Sequence, residues 1–130
     1  MRYRIYYEDT DCGGVVYHSN YLKFCERARS EIFFQKDKLP FNAKGSFVVH
    51  SLNAQYLLPL RLGDVIEIKT ILKEQRRSSI LLRQEIFCVM SADKKNNESK
   101  VFAMDVRLAF IDSQTHRAIK IPLELLEILL

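Results

Sequence analysis

The chain has 130 residues, with 20 Lys plus Arg against 16 Asp plus Glu, a formal charge of +4. Hydrophobic residues make up 48% and charged residues 28%, with 4 Gly and 3 Pro, which excludes disordered and collagen-like chains. The charge is too small and too scattered to argue for a nucleic-acid partner, and the length reads as one domain, residues 1–130, with a core of its own.

Residues 2–7, RYRIYY, read as a short strand. Residues 8–20, EDTDCGGVVYHSN, are polar, carry two glycines and break the periodicity. From Asn20 the spacing turns helical: Tyr21, Phe24, Cys25, Ala28 and Ile32 recur on one face, and Phe33 and Phe34 widen it. Lys23, Glu26, Arg27, Ser30 and Glu31 form the opposite face, with Arg27 and Glu31 spaced for an ion pair. The helix is expected to end before Leu39 and Pro40, because a residue preceding proline is pushed out of the α region.

Four strand-like segments follow. In 47–58, Val48, Leu52, Ala54, Tyr56 and Leu58 alternate with Ser51, Asn53 and Gln55. In 64–73, Ile66, Ile68 and Leu72 alternate with Glu67, Lys69 and Lys73. In 79–90, Ile80, Leu82, Ile86, Cys88 and Met90 share a face; in 101–111, Phe102, Met104, Val106, Leu108 and Phe110 do. Such period-2 patterning means antiparallel strands with one side on a core. The breaks PLRLGD, EQRRS and SADKKNNES are turn-like, and Lys94 and Lys95 read as a charged hairpin tip. Pro122 opens a short amphipathic helix at the end of the chain. The economical architecture is α+β: an antiparallel sheet of five to six strands wrapped around one long central helix. A partly open barrel with an external helix is the alternative, which the wide apolar stripe of the helix disfavours.

The N-terminal residues lack the apolar core of a signal peptide, and no run reaches the roughly 18 apolar residues of a membrane span. Cys12, Cys25 and Cys88 are odd in number and show no CxxC spacing, so neither disulfides nor a zinc site is indicated. Without a secretion signal, the glycosylation sequon starting at Asn97 reads as chance. The expectation is a reduced, cytoplasmic protein with no integral membrane association.

The segment 8–20 gathers carboxylates, a thiol, two glycines and His18 just before a helix N-terminus, whose unpaired N–H groups attract an anion or a polarised carbonyl oxygen. Gly13 and Gly14 let the backbone approach a ligand. A carboxylate such as Asp11 aimed at that carbonyl suits acyl transfer or hydrolysis. The plainer reading is a cluster of turn and capping residues.

The run DTDCGGVVYHSNY over residues 9–21, followed by the helix, resembles the signature of the hydroxybenzoyl-CoA thioesterase family of hotdog-fold proteins. Within it, the run is most similar to the acyl-CoA thioesterases encoded with the Tol–Pal cell-envelope system. A second stretch, YLLPLRLGD over residues 56–64, resembles the family's strand-ending turn. The resemblance implies an acyl-CoA thioester hydrolase that needs no metal or cofactor. It implies that Asp11 is the catalytic carboxylate, as nucleophile or as general base, and that the backbone N–H at His18 polarises the thioester carbonyl. Tyr17 would line the acyl pocket or place the helix end. Relatives join sheets edge to edge, so a homodimer or a dimer of dimers, a homotetramer, is implied. The alternative is an envelope-linked interaction protein that binds acyl-carrier protein or phospholipid-synthesis enzymes; a hotdog dehydratase fits the motif less well.

The remaining candidates have plain alternatives. Arg76 and Arg77, with Lys73 and Arg83 near them, suit coenzyme A phosphates but also suit a solvated turn. His50 could touch substrate or be a half-buried strand histidine. Phe47, Val49 and Tyr56 are expected to shape the acyl pocket. Asp9 reads as a loop carboxylate and Glu31 as a surface residue. Cys12 beside Asp11 is poorly placed as a nucleophile, because a neighbouring carboxylate disfavours the thiolate. Cys25 and Cys88 read as core.

Overall fold

The computed structural model describes residues 2–93 and 98–130, so Lys94, Lys95 and the sequon's Asn97 lie outside the described residues. In chain order the elements are β1 (Arg2–Arg4), α1 (His18–Phe34), β2 (Gly45–Tyr56), β3 (Val65–Gln75), β4 (Ser79–Met90), β5 (Ser99–Asp112) and α2 (Leu123–Leu129). The strands form one antiparallel sheet in the order β1-β3-β4-β5-β2. The sheet curls around α1, so the expected α+β wrap is observed.

The core lies between α1 and the concave face. Tyr21, Phe24, Cys25 and Phe33 of the helix join Ile66, Ile80, Leu82, Ile86, Phe102, Met104, Val106 and Phe110. Phe102 and Phe110 are fully buried, and truncating such a ring to alanine costs roughly 3–5 kcal/mol. Gly45 opens β2 where no side chain fits: a Cβ there would stand 2.1 Å from the Ile111 carbonyl oxygen.

Several boundaries depart from the periodicity. The first strand stops at Arg4 because Tyr6 N–H bonds the Asp9 carboxylate at 2.9 Å, folding residues Tyr7–Asp9 into a 3-10 turn. α1 starts at His18, three residues before Tyr21 opens the apolar stripe, because its polar first turn faces outward. It ends at Phe34, where Lys36 and Lys38 N–H groups fold back onto the Phe33 carbonyl and Asp37 adopts φ 55°. Phe34 is 46% exposed, so it does not widen the buried stripe. The outer face of α1 is open, and no ion pair joins Arg27 to Glu31 among the described residues.

The largest departure is in β2. Val49 pairs with Leu108 but Ser51 pairs with Arg107, so His50 is the extra residue of a β-bulge. The bulge resets the alternation. Phe47 and Val49 join Leu52, Ala54 and Tyr56 on the helix-facing side, whereas Val48 pairs with Ala109 on the convex side. Leu58 lies past the strand and is exposed. β4 and β5 carry the expected faces, with one polar intruder: Gln84 is fully buried in the core register.

Candidate active site

The loop before α1 is built from its own hydrogen bonds. Asp11 N–H donates to the Val15 carbonyl (2.9 Å), and Gly14 N–H donates to the Asp11 carbonyl (3.1 Å). Asp11 Oδ1 accepts Gly13 N–H at 2.8 Å. Gly14 takes φ +81°, a conformation that side chains disfavour, although the space beside it is open. Thr10 and Val16 close the loop as a β-bridge, and Val16 N–H anchors it to the Leu60 carbonyl at 2.9 Å. The Asp11 side chain is therefore held at the loop tip, exposed, with Oδ2 accepting no hydrogen bond from the described residues.

Asp9 has a different task. Its carboxylate holds Tyr6 N–H, and its carbonyl accepts Tyr17 N–H (3.2 Å) and Asn20 Nδ2 (2.8 Å). It is the loop carboxylate the sequence suggested, tying the loop to the first turn of α1.

The N-terminus of α1 is left uncapped. Tyr17 occupies the cap position without a side-chain capping bond, and the first turn carries no acidic residue. Asn20 N–H closes onto the Tyr17 carbonyl (2.9 Å), which leaves the His18 and Ser19 N–H groups and the positive end of the helix dipole available to an oxygen of developing negative charge. The turn is fixed from outside instead. Tyr56 Oη donates to the His18 carbonyl (2.7 Å), and Leu60 N–H donates to Tyr21 Oη (3.1 Å). The His18 and Tyr17 rings lie 4.3 Å apart, and Tyr56 packs edge-on against Tyr21 (5.2 Å) and Phe102 (5.0 Å). Burial pushes the Tyr21 and Tyr56 phenols above their ordinary value, which keeps both protonated at neutral pH.

Beside this turn lies an open groove of about 320 Å³ lined by Val16, His18, Tyr21, Tyr56, Leu57 and Leu58. It joins an apolar wall to the positive end of a helix, beside a loop that presents a carboxylate. That arrangement can hold a carbonyl compound with an apolar substituent, its oxygen on the helix start; Asp11 lies on the adjoining loop and is not among the residues that line the groove.

The structure thus gathers Asp11, Gly14, Tyr17 and His18 in one loop and helix start. It places the other candidates elsewhere in the chain. His50 sits exposed on the β2 bulge, with Nδ1 3.5 Å from Ser51 Oγ. Arg76 and Arg77 lie in the β3–β4 turn, where Phe110 N–H meets the Ser78 carbonyl at 2.9 Å. That turn is at the Phe110 end of the sheet, near the C-terminus of α1, whereas His18 is near Phe102. A helix of 17 residues spans about 25 Å, so the turn and His18 stand far apart within one chain. Arg76 Nε is also held by Glu74 at 2.6 Å, whose other oxygen binds Arg107 at 3.0 Å. Arg77 is exposed and has no ion-pair partner among the described residues.

Cys12 is exposed, while Cys25 and Cys88 are buried; burial pushes the Cys25 thiol up to about 12, leaving it inert. Arg29 and Gln84 escaped the sequence reading. The signal was present in both: a glutamine in the apolar register of β4, and an arginine one turn after Cys25.

Comparisons with known proteins bear on the family and the fold. The acyl-CoA thioesterase YbgC of Helicobacter pylori (strain ATCC 700392 / 26695) is 49% identical over 123 residues, covering 94% of this chain and 92% of the relative. The acyl-CoA thioester hydrolase YbgC of Escherichia coli O6:H1 is 39% identical over 107 residues, 79% of this chain and 78% of that protein. A crystal structure of a 4-hydroxybenzoyl-CoA thioesterase mutant complexed with 4-hydroxybenzoyl-CoA is similar with a TM-score of 0.83 at 25% identity, over 100% of this chain and 96% of that one. The thioesterase-like superfamily matches residues 6–129. A sheet curled on a central helix, an uncapped helix start and these likenesses lead to one conclusion: the chain is a hotdog-fold member of the thioesterase-like superfamily.

Proposed function

We propose that this protein hydrolyses acyl-CoA thioesters to free CoA and a carboxylic acid, as one domain spanning residues 1–130. The observation that carries the reading is the uncapped N-terminus of α1 opening beside the Asp11 loop on an apolar groove. The thioester carbonyl oxygen rests on the His18 N–H, where the charge of the tetrahedral intermediate is stabilised. Asp11 either takes a proton from the water that attacks the carbonyl carbon or attacks that carbon itself, forming an acyl-aspartate anhydride that water hydrolyses to the acid once CoA has left. The C–S bond then breaks, and CoA leaves as a thiolate that picks up a proton from solvent. Tyr17 and Gly14 frame the entrance, one through its ring and the other through exposed backbone.

The same reading extends to assembly. β2 is a 12-residue edge strand with Val48, Val49 and Leu52 exposed. Pairing with the β2 of a second copy buries that edge. The two-fold turns the partner end for end, bringing its β3–β4 turn toward this chain's helix start. Arg77 and Arg76 of that copy would then hold the CoA phosphates, with His50 near the seam. A tetramer is two such dimers. Acyl-carrier protein is a further proposed partner, since it presents acyl groups on the same thioester chemistry. A cytoplasmic location and a link to the Tol–Pal system complete the proposal; no helix among the described residues is long and apolar enough to cross a membrane.

The deciding experiment is Asp11→Asn. The asparagine oxygen can still accept Gly13 N–H, so the loop survives while the nucleophile or base is lost. CoA release is expected to fall by roughly 10²–10⁴-fold with the melting temperature unchanged. Turnover near that of the unmodified protein would remove Asp11 from the mechanism.

A further inference from the structure

Arg29 lies half-buried on α1, and Nη1 donates a 2.8 Å hydrogen bond to Gln84 Oε1. Gln84 Nε2 donates in turn to the Cys25 carbonyl (2.9 Å) and to Thr70 Oγ1 (3.1 Å). A carbonyl only accepts, so the Cys25 bond fixes the amide with its oxygen toward Arg29. The guanidinium is therefore locked in place by a neutral group. No ion pair joins it to a carboxylate among the described residues. Burial pushes its pKa below the ordinary arginine value, and the nearby Glu26 offsets only part of that.

This cation opens on a groove of about 420 Å³ between α1, β2 and β5. Phe33, Phe47, Val49 and Leu108 form apolar walls, with Arg29 and Glu26 on the helix side. The volume falls in the roughly 300–1,000 Å³ range of small-molecule sites. A charge withdrawn from water without a counter-ion is costly to keep. With Nη1 engaged, the Nε and Nη2 donors remain, a fork whose spacing matches the two oxygens of a carboxylate.

We propose that this groove binds a carboxylate carried on an apolar body, with Arg29 as the carboxylate-binding residue. One cation among aromatic and aliphatic walls, with the Glu26 carboxylate also on the lining to repel further negative charge, suits a monoanion with a hydrocarbon tail better than a multiply charged phosphate. The occupant is a free straight-chain acid or the distal carboxylate of an ω-carboxyacyl group. Its identity as acid product or acyl substrate rests on the hydrolase reading; the anion site itself does not.

Calorimetric titration with octanoate and octanamide tests the site without turnover. Octanoate is expected to bind at least tenfold more tightly than octanamide. Arg29→Gln should remove that preference, and Arg29→Lys should restore part of it. Equal binding of acid and amide, absence of binding by either, or a preference that survives Arg29→Gln would overturn the proposal. So would a crystal structure in which a carboxylate of a second copy occupies Arg29. If Arg29→Gln fails to fold, the acid–amide comparison on the unmodified protein and on Arg29→Lys still decides. A lower KM for an ω-carboxyacyl-CoA than for the plain acyl-CoA, lost in Arg29→Gln, assigns the carboxylate to the substrate. Acid binding without that difference assigns it to the free acid. Octanoate binding by a protein that releases no CoA would sink the hydrolase reading alone.

Discussion

Tyr56 Oη donates a 2.7 Å hydrogen bond to the carbonyl oxygen of His18, tying the last residue of β2 to the first residue of α1. On the other side of His18, the Tyr17 carbonyl accepts Asn20 N–H at 2.9 Å. Both peptide planes flanking His18 are thus held, and the direction of its N–H is set by them. Tyr56→Phe keeps the ring packing and removes one bond. A hydrogen bond of this kind is worth about 1 kcal/mol, so kcat is expected to fall roughly 2–10-fold with KM almost unchanged. Steady-state kinetics with one acyl-CoA measure it; an unaltered kcat would show that Tyr56 does not position the helix start.

Arg76 and Arg77 are adjacent but unequal. Glu74 already engages Arg76, whereas Arg77 is free of ion pairs among the described residues. Arg77→Ala is expected to raise the KM for CoA esters more than Arg76→Ala does. The double substitution should raise it roughly tenfold or more, because charge-assisted bonds to phosphate are worth about 1.5–3 kcal/mol. Arg76→Ala showing the larger effect would mean that Glu74 releases its partner when CoA binds.

The exposed edge of β2 gives a test of assembly. Leu52→Lys adds a charge to an edge that is apolar and open. Light scattering is expected to show a shift to monomer, and activity should fall with it if CoA is held across the seam. A monomeric variant at full activity would separate assembly from catalysis.

The convex face carries a pH test. Lys100 Nζ stands 2.7 Å from Glu85, and its hydrogen bond holds the Glu85 carboxyl below its ordinary value. A depressed folded value means that the stabilisation is complete above the unfolded glutamate value of about 4.3 and fades as pH falls through the folded one. Thermal melts of Glu85→Gln and the unmodified protein should differ at neutral pH and converge in acid. A constant difference across that range would show that the pair adds nothing beyond packing.

The bulge at His50 explains most of what could not be read along the chain. Alternation is visible as long as each residue takes one step of the ladder, as in β4, whose observed limits Ser79–Met90 match the pattern. An extra residue in β2 reverses the faces on its N-terminal side, so Val48 looked like core and is not. The helix start was legible because polar residues, glycines and the aromatic pair crowd before it. Arg29 and Gln84 were not, since an arginine among apolar neighbours reads as solvated until a buried amide is found facing it. Tyr56 could be placed against the pocket by its register, but its hydroxyl bond to His18 depends on how the sheet end folds over the helix.

The two borders of the sheet differ in kind. β1 covers β3 only from Val65 to Glu67, and the rest of that border carries the exposed lysines Lys69 and Lys73. A growing stack of sheets needs two sticky margins, and lysines on a strand margin repel a newcomer. With one margin guarded by lysines and the other apolar and open, the pairing proposed for β2 would happen once along the sheet and then stop. On that proposal the molecule is built against fibre formation, since any larger assembly would have to use a face of the sheet rather than its border.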